Sequence, residues 1–397
     1  MVLGGAHSES CRRARAAHPL DTHAKIGQPL EVVHDVGDMV SAPLNLAELD
    51  LVELEAALVA RGQERFRGRQ VFAWIYRRGV TDVAGMTDLP KDLRGSLSHD
   101  CTIGTPVLAS RERSSDGTEK FLLRLADGAH IESVFIPDTP AMTFCISTQV
   151  GCAMACAFCL TGKMGLVRNL TAGEIVGQVR VLAHALDLQD KPFNIVLMGM
   201  GEPLHNYDAV MKAMRILANE HGFALPPRRV TLSTVGLLPA LEKLGREPLM
   251  PNLAISLHAP TDVQRGALVP INKKYGVADI IEACKRFPVR KRSRITFEYV
   301  MLAGVNDSPD DARKLATLLA GVKAKVNLIP LNAAAGIPFE RPSDAVVDAF
   351  ARTLAERDVT VSVRKSRGRD IRAACGQLIV EGQKPSPGQK LATLAFH

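Results

Sequence analysis

The chain has 397 residues, 46% hydrophobic and 23% charged, with a net charge of +7 and a pI near 9.0. It can bury a sizeable core, either as one large domain with an appendage or as about two to three ordinary domains. No apolar run approaches the roughly 20 residues of a bilayer span, and the N-terminus lacks the apolar stretch of a secretory signal. A membrane partner is therefore excluded, and the cytoplasm is the expected location. The basic balance is a mild bias towards polyanions that decides nothing alone. Aromatics are only 5%, so any nucleic-acid contact would run through phosphates and shape rather than a stacking platform.

Residues 1–42 show no apolar periodicity and read as a poorly ordered extension. From Asn45 onward, Leu46, Leu49, Leu51, Leu54 and Leu58 make a helical stripe. Val71, Phe72, Trp74, Ile75 and Tyr76 suggest a second helix, and Met86–Leu97 a third. Residues 43–100 thus form a small helical module carrying Arg61, Arg65, Arg67, Arg69, Arg77 and Arg78, which would either grip phosphates or simply be exposed helix charge. Residues 101–140 read as a β-extension with strands Thr105–Ser110, Lys120–Leu125 and His130–Ile136, the first two joined by a turn at Ser115-Asp116-Gly117.

Residues 141–382 alternate strand and helix. The expected strands are Phe144–Thr148, Asn194–Met198, Arg229–Thr234, Leu253–Leu257, Ile295–Leu302, Val326–Leu331 and Val359–Val363. Between them a helix opens at Thr171, with a capping box to Glu174. Others are predicted at Tyr207–Asn219, Leu238–Leu244, Val277–Arg286 and Asp344–Ala355, and one starts at Ser308 with proline next. Repeated βα units imply a parallel sheet covered by helices. Six units are too few for a closed eight-fold barrel, so the expected fold is α/β, a partial (β/α)6 barrel with its site at the C-terminal strand ends. Residues 383–397 read as a tail. Basic runs at Lys285–Arg294 and at Arg364, Lys365, Arg367, Arg369 and Arg372 are solvated faces or polyanion grips.

Of eight cysteines, Cys152, Cys156 and Cys159 fall within eight residues just beyond the first core strand, which is no disulfide framework. Three thiolates on one loop can hold three corners of a cubane cluster and leave one iron open to a substrate, whereas four would close the coordination sphere. Gly151, the loop position and the spacing argue against three cysteines serving as small hydrophobes. A zinc site completed by Cys145 is the other metal reading.

The C-x-x-x-C-x-x-C motif, with Phe158 before its last cysteine, resembles the radical S-adenosylmethionine superfamily. Four longer segments narrow the resemblance to the RlmN/Cfr family of RNA adenine methyltransferases: Gln149–Cys159, Met198-Gly-Met-Gly-Glu-Pro203, Thr231–Val235 and Ser256-Leu-His-Ala-Pro260. The likeness spans roughly residues 45–382. It implies a radical-SAM enzyme with one 4Fe-4S cluster on Cys152, Cys156 and Cys159 and S-adenosylmethionine used twice per turnover, as methyl donor and as radical source. Carbon 2 of adenine is too electron-poor for polar methylation, which is why a radical source is needed.

The resemblance further implies that Cys375 takes the first methyl and then, as a carbon radical, adds to the adenine. Cys145 would release the product through a transient disulfide, and Glu132 would remove the ring proton. The glycine-flanked 367–375 loop is expected to be flexible enough to carry the methyl between sites. Gly201 and Glu202 match the pair at the methionine amino group; Ser233, Ser256, Leu257, His258 and Asn332 match positions around the adenosine. His258 alone would more often be a hydrogen-bonded core histidine, and Glu132 alone an exposed strand glutamate. The implied substrates are an adenosine of 23S rRNA and the tRNA adenosine beside the anticodon, splayed from their stacks. The implied partners are these RNAs and an electron donor such as flavodoxin or ferredoxin, acting on a monomer. Two other readings remain: Cfr-type methylation of carbon 8 of the rRNA adenosine, and a non-catalytic, metal-stapled RNA-binding protein.

Overall fold

The computed structural model describes residues 43–137 and 141–385. The expected extension at 1–42 and most of the expected tail lie outside the described residues. The first described element, β1 (Leu44–Asn45), pairs in parallel with β2 (Cys101–Thr102), and three helices run between them: α1 (Leu51–Val59), α2 (Phe66–Tyr76) and α3 (Lys91–Asp100). Asp50 and Glu53 form a capping box that fixes the start of α1. Leu54, Leu58, Val71, Phe72 and Ile75 then interlock without exposure. The third helix begins later than Met86, because Pro90 is tolerated only at a helix start; a 3-10 turn at Val83–Gly85 precedes it. Several of the module's arginines are structural. Arg65 and Arg69 both pair with buried Glu55, and Arg78 lies over the Trp74 ring at 3.9 Å.

The β-extension does not stand apart. β3 (Val107–Arg113), β4 (Glu119–Arg124) and β5 (His130–Ile136) are antiparallel, and β5 continues onto β6 (Thr143–Cys145) with Val134 opposite Cys145. After β6 come β7 (Gln149–Gly151), α4 (Leu160–Met164), β8 (Leu166–Asn169) and α5 (Ala172–Ala185). The chain then runs β9 (Asn194–Leu197), α6 (Tyr207–Ala218), β10 (Val230–Thr234), α7 (Leu238–Leu244) and β11 (Asn252–Ser256). It finishes with α8 (Asp262–Leu268), α9 (Val277–Arg286), β12 (Ile295–Met301), α10 (Pro309–Leu318), β13 (Ala324–Pro330), α11 (Asp344–Ala355) and β14 (Val361–Val363). One ten-stranded sheet results, ordered β14-β13-β12-β11-β10-β9-β6-β5-β4-β3. Its strands from β6 to β14 are parallel, making the partial (β/α)6 barrel expected from sequence.

The strand expected over Phe144–Thr148 stops at Cys145. Gln149–Gly151 instead leaves the sheet and pairs with β8. Gly151 makes this departure possible: its φ is +78°, and a Cβ there would lie 1.9 Å from the Gly165 carbonyl oxygen. Outward side chains such as Leu232, Phe297, Tyr299, Val326 and Leu328 are fully buried beneath the helices. The inward face is different in kind. It carries Thr231, Ser233, Thr296 and Asn327, which are only partly buried, so the barrel is hollow.

Candidate active site

A cleft of about 900 Å³, counting its mouth, opens at the C-terminal strand ends. Cys152, Cys156 and Cys159 all line it, together with Gly201, Glu202, Ser233, Ser256, His258, Asn332 and Cys375. Of the positions singled out from sequence, only Glu132, Cys145 and Leu257 fall outside its lining. The cysteine loop is held by its own backbone: Cys152 N donates to Gly165 O (3.0 Å) and Ala157 N to Leu268 O (2.9 Å). Burial raises the pKa of all three thiols, and those of Cys152 and Cys156 are raised further by neighbouring thiols. Such thiols are neutral until a cation arrives to claim them. Among the described residues no three His, Cys, Asp or Glu side chains are arranged to hold a single metal ion. Ligands that each bind a different iron of a cubane need no such convergence.

Opposite the thiols, Glu202 is buried with its carboxylate accepting from Leu204 N (3.0 Å) and Val235 N (2.9 Å). Burial pushes its pKa up to about 7. Gly201 has φ +109°, and a Cβ would press on Gln149 at 2.7 Å. That glutamine accepts from Glu202 N (2.8 Å), so the Gly201-Glu202 turn has no room for a side chain at its first position. Ser233 and Ser256 hydroxyls meet at 3.2 Å across β10 and β11. His258 is both a core group and a lining one. Its Nδ1 accepts from Val300 N (3.1 Å), its ring meets Phe158 edge-on at 4.7 Å, and burial lowers its pKa to about 3, which keeps it neutral.

Leu257 offers the cleft nothing from its side chain. It is fully buried, its N donates to Glu298 O and its O accepts from Arg265 Nε. Arg265 was not legible as a site residue, yet it organises this wall. Fully buried, it also donates to Asn272 Oδ1 (2.9 Å), Val235 O (2.6 Å) and Ser256 O (3.3 Å). Asn332 Oδ1 is buried in the cleft wall without a partner, an acceptor waiting for a donor from a bound molecule.

Cys375 arrives on a C-terminal strap that is pinned, not loose. Asp370 accepts from Ser114 Oγ (2.5 Å) and Ser115 N (3.1 Å), and Gly368 N donates to Asp116 Oδ2 (3.0 Å). Beyond it, Asn332 Nδ2 donates to Cys375 O (3.3 Å), Leu160 N to Gly376 O (2.8 Å) and Thr161 Oγ1 to Leu378 O (2.6 Å). The loop expected to carry the methyl is thus held by hydrogen bonds on both sides of Cys375, and its glycines serve left-handed turns, φ +61° at Gly368 and +82° at Gly376.

Glu132 lies outside the cleft. Its carboxylate accepts from Ile379 N (2.8 Å) on the strap and pairs with Lys120 Nζ (3.2 Å), Glu132 and Lys120 both being buried. Burial raises its pKa and Lys120 opposes the rise. Cys145, buried at the end of β6, is coupled electrostatically to Cys375, and burial pushes its thiol up to about 12. Arg364 completes this corner. From sequence it belonged to a basic run, but it lines the cleft, and the Cys375 and Cys145 sulfurs and Glu298 all raise its pKa.

A parallel partial barrel with three thiols on its first loop, and with a glycine-glutamate turn and serine, histidine and asparagine groups at later strand ends, defines a radical S-adenosylmethionine enzyme. Residues 146–316 match the radical SAM superfamily model, and residues 44–103 match a ribosomal RNA large subunit methyltransferase N-terminal domain. The chain is 48% identical over 349 residues to the dual-specificity RNA methyltransferase RlmN of Geobacter sulfurreducens, covering 87% of this chain and 96% of that one. It is 46% identical over 369 residues to the protein of the same name from Anaeromyxobacter dehalogenans, covering 91% and 97%. A crystal structure of a radical SAM methyltransferase from Sphaerobacter thermophilus superposes with a TM-score of 0.81 at 47% identity, covering 85% of this chain and 99% of that one. The chain belongs to the RlmN family of radical S-adenosylmethionine RNA methyltransferases. Membership of the superfamily implies a 4Fe-4S cluster and S-adenosylmethionine, and the buried thiols and the unpartnered Asn332 oxygen fit both.

Proposed function

We propose that the chain methylates carbon 2 of one adenosine in 23S rRNA and of the adenosine beside the anticodon in tRNA. The observation that carries this reading is the presence of Cys375 in the same cleft as Cys152, Cys156 and Cys159. A methyl-carrying cysteine beside the cluster ligands has no use in a metal-stapled binding protein. The name shared by the two relatives above, a dual-specificity RNA methyltransferase, favours this activity over Cfr-type methylation of carbon 8.

When bound, the cluster and two molecules of S-adenosylmethionine per turnover supply a methyl cation equivalent and an adenosyl radical. The chain's residues do the rest. Gly201 and Glu202 receive the methionine end, with the carboxylate aimed by two backbone amides; Ser233, Ser256, His258 and Asn332 receive the adenosine, and Leu257 supports that wall from behind. Cys375 accepts the methyl group, with Arg364 beside it in the lining of the cleft. Cys145, buried next to the strap, attacks the Cys375 sulfur to free the methylated base, leaving a disulfide between them. Glu132 serves as the ring base, and by holding Ile379 N it also fixes the strap that carries Cys375. The enzyme works as a monomer in the cytoplasm with flavodoxin or ferredoxin as electron donor; no helix among the described residues is long and apolar enough to cross a membrane.

The test is anaerobic assay of the reconstituted chain on 23S rRNA and tRNA, with nucleoside analysis of the product. 2-Methyladenosine is expected from the wild type and none from Cys375→Ala. An 8-methyladenosine product, or methylation that survives without Cys375, refutes the reading.

A further inference from the structure

Closed eight-fold barrels fill their interior with layers of bulky aliphatic side chains. This barrel does not. At the N-terminal strand ends the inward positions are Thr143, Asn194, Thr231, Asn252, Thr296 and Lys325, placed on one face by the strand register. All but Thr143 retain solvent exposure. They line a second cavity of about 1710 Å³, counting its open mouth, at the end of the sheet opposite the cofactor cleft. Met198, Glu298 and Arg364 line both cavities, so the two adjoin at these side chains along the barrel axis.

The charge of this lower cavity is one-sided. Arg228, Arg229, Lys325, Lys365 and Arg367 surround it, with Arg364 deeper in, against Glu298 as the one acidic lining residue. None of the five outer cations closes an ion pair among the described residues, and Arg367 Nε is buried with no partner at all. Some cations elsewhere on the chain are committed to ion pairs: Arg65 and Arg69 to Glu55, Arg168 to Glu174, and Arg372 to Glu381. At the other end of the barrel, the strap from Cys375 to Ile379 lies against the cluster loop and is tied to Leu160, Thr161 and Glu132.

We propose that the RNA enters through this lower cavity. The target nucleotide, extruded from its stack, passes inward from the N-terminal strand ends, with its flanking phosphates on Arg228, Arg229, Lys325, Lys365 and Arg367. Its base rises past Glu298 to reach Cys375. This inference rests on the proposed RNA methylation and adds the route to it. Unpaired cations at the mouth supply the sequence-independent grip that phosphates require, and only an extruded nucleotide is narrow enough to follow the hollow to the reacting sulfur. An acidic protein reductant would also be drawn to such a mouth, but it need not penetrate the barrel. A cavity that adjoins the cleft at Met198, Glu298 and Arg364 favours the nucleotide.

The test uses the full-length, cluster-loaded protein and a fluorescein-labelled anticodon stem–loop RNA, with Kd measured by anisotropy across a range of KCl. Arg228→Ala, Lys325→Ala and Lys365→Ala are each expected to weaken binding roughly 3- to 10-fold and to lower the salt slope by about 0.7 to 0.9. The combined variant should bind about 100-fold more weakly or worse, and Lys314→Ala on the outer face of α10 should bind as wild type. Methylation of Cys375 without RNA, read by mass, separates a lost RNA grip from a collapsed cofactor cleft. In the wild type, bound RNA should also shield Lys325 and Lys365 from amine acetylation, a measurement that needs no variant. Equal labelling with and without RNA, or a combined variant within about twofold of wild type, overturns the proposal. So does a defect that appears with flavodoxin but not with dithionite, which would make the cavity a donor dock. A wild type that binds RNA without methylating it would refute the proposed activity while leaving the route intact.

Discussion

Glu202 offers the sharpest test of the cleft electrostatics. Burial lifts its pKa from 4.5 to about 7 although two backbone amides and a side-chain hydrogen bond from Thr234 favour the charged form. Because the folded-state value is the higher one, folding holds the proton more tightly than the unfolded chain does. The associated stability is complete below about pH 4.5 and declines as pH rises through about 7. A shift of roughly 2.5 units at about 1.36 kcal/mol each corresponds to about 3 kcal/mol. Glu202→Gln removes the titration. It also forfeits one acceptor, since an amide cannot accept from both Leu204 N and Val235 N, which adds a fixed cost of about 1 to 3 kcal/mol at every pH. Urea unfolding of the reduced, cluster-free chain, followed by circular dichroism, should therefore show a wild-type minus variant difference that falls by about 3 kcal/mol between roughly pH 4.5 and 7.5. Titrating cysteines cancel in that difference. Parallel stability curves for the two proteins would refute the assignment of this pKa to Glu202.

Lys120→Met strands Glu132 in a buried site and should cost about 3 to 5 kcal/mol in denaturant unfolding, with Glu132→Gln in the same chain recovering most of it; equal losses in the single and double variants would show that the pair is not coupled. Asn332→Ala removes an unpartnered acceptor of the cleft wall and a donor to Cys375 O, so S-adenosylmethionine should bind roughly 5- to 30-fold more weakly by calorimetry of the cluster-loaded protein. An unchanged Kd would remove this side chain from the cofactor site. Cys145→Ala should fold normally and accumulate a covalent adduct between Cys375 and RNA, visible as a shifted band on a denaturing gel. Clean turnover without adduct would exclude Cys145 from product release.

The local parts of this molecule were legible in its sequence. Capping at Thr171 and Ser308 fixed two helix starts, and both caps are present. The cysteine spacing needs only a loop, so it too survives folding intact. What was hidden depends on residues far apart in the chain. Ser114 and Asp370 are 256 residues apart, and no periodicity announces that a strap will be tied down there; its glycines looked like freedom when they are turn-makers. Arg364 sat in a run of cations that reads as surface, and only β14 packing on β13 turns it towards the thiols. Arg265 was invisible for a related reason. An isolated arginine in a polar stretch is normally exposed, and its burial is made possible by backbone carbonyls that no side-chain pattern encodes. The hollow interior was equally silent, since alternating polar residues on a strand look the same whether they face a filled barrel or open water.

The strap has a bearing on the order of assembly. Each hydrogen bond that seats Cys375 beside the cluster loop needs a partner from residues 368–379, whereas the ligating thiols and the glycine-glutamate turn come from the barrel's first half. A nascent chain can therefore complete its metal-binding loop while that wall is still unmade, leaving the thiols open to delivery of iron and sulfide. Docking of the last segment then shuts the loaded chamber from one side, so maturation and closure are separated in time by the direction of synthesis.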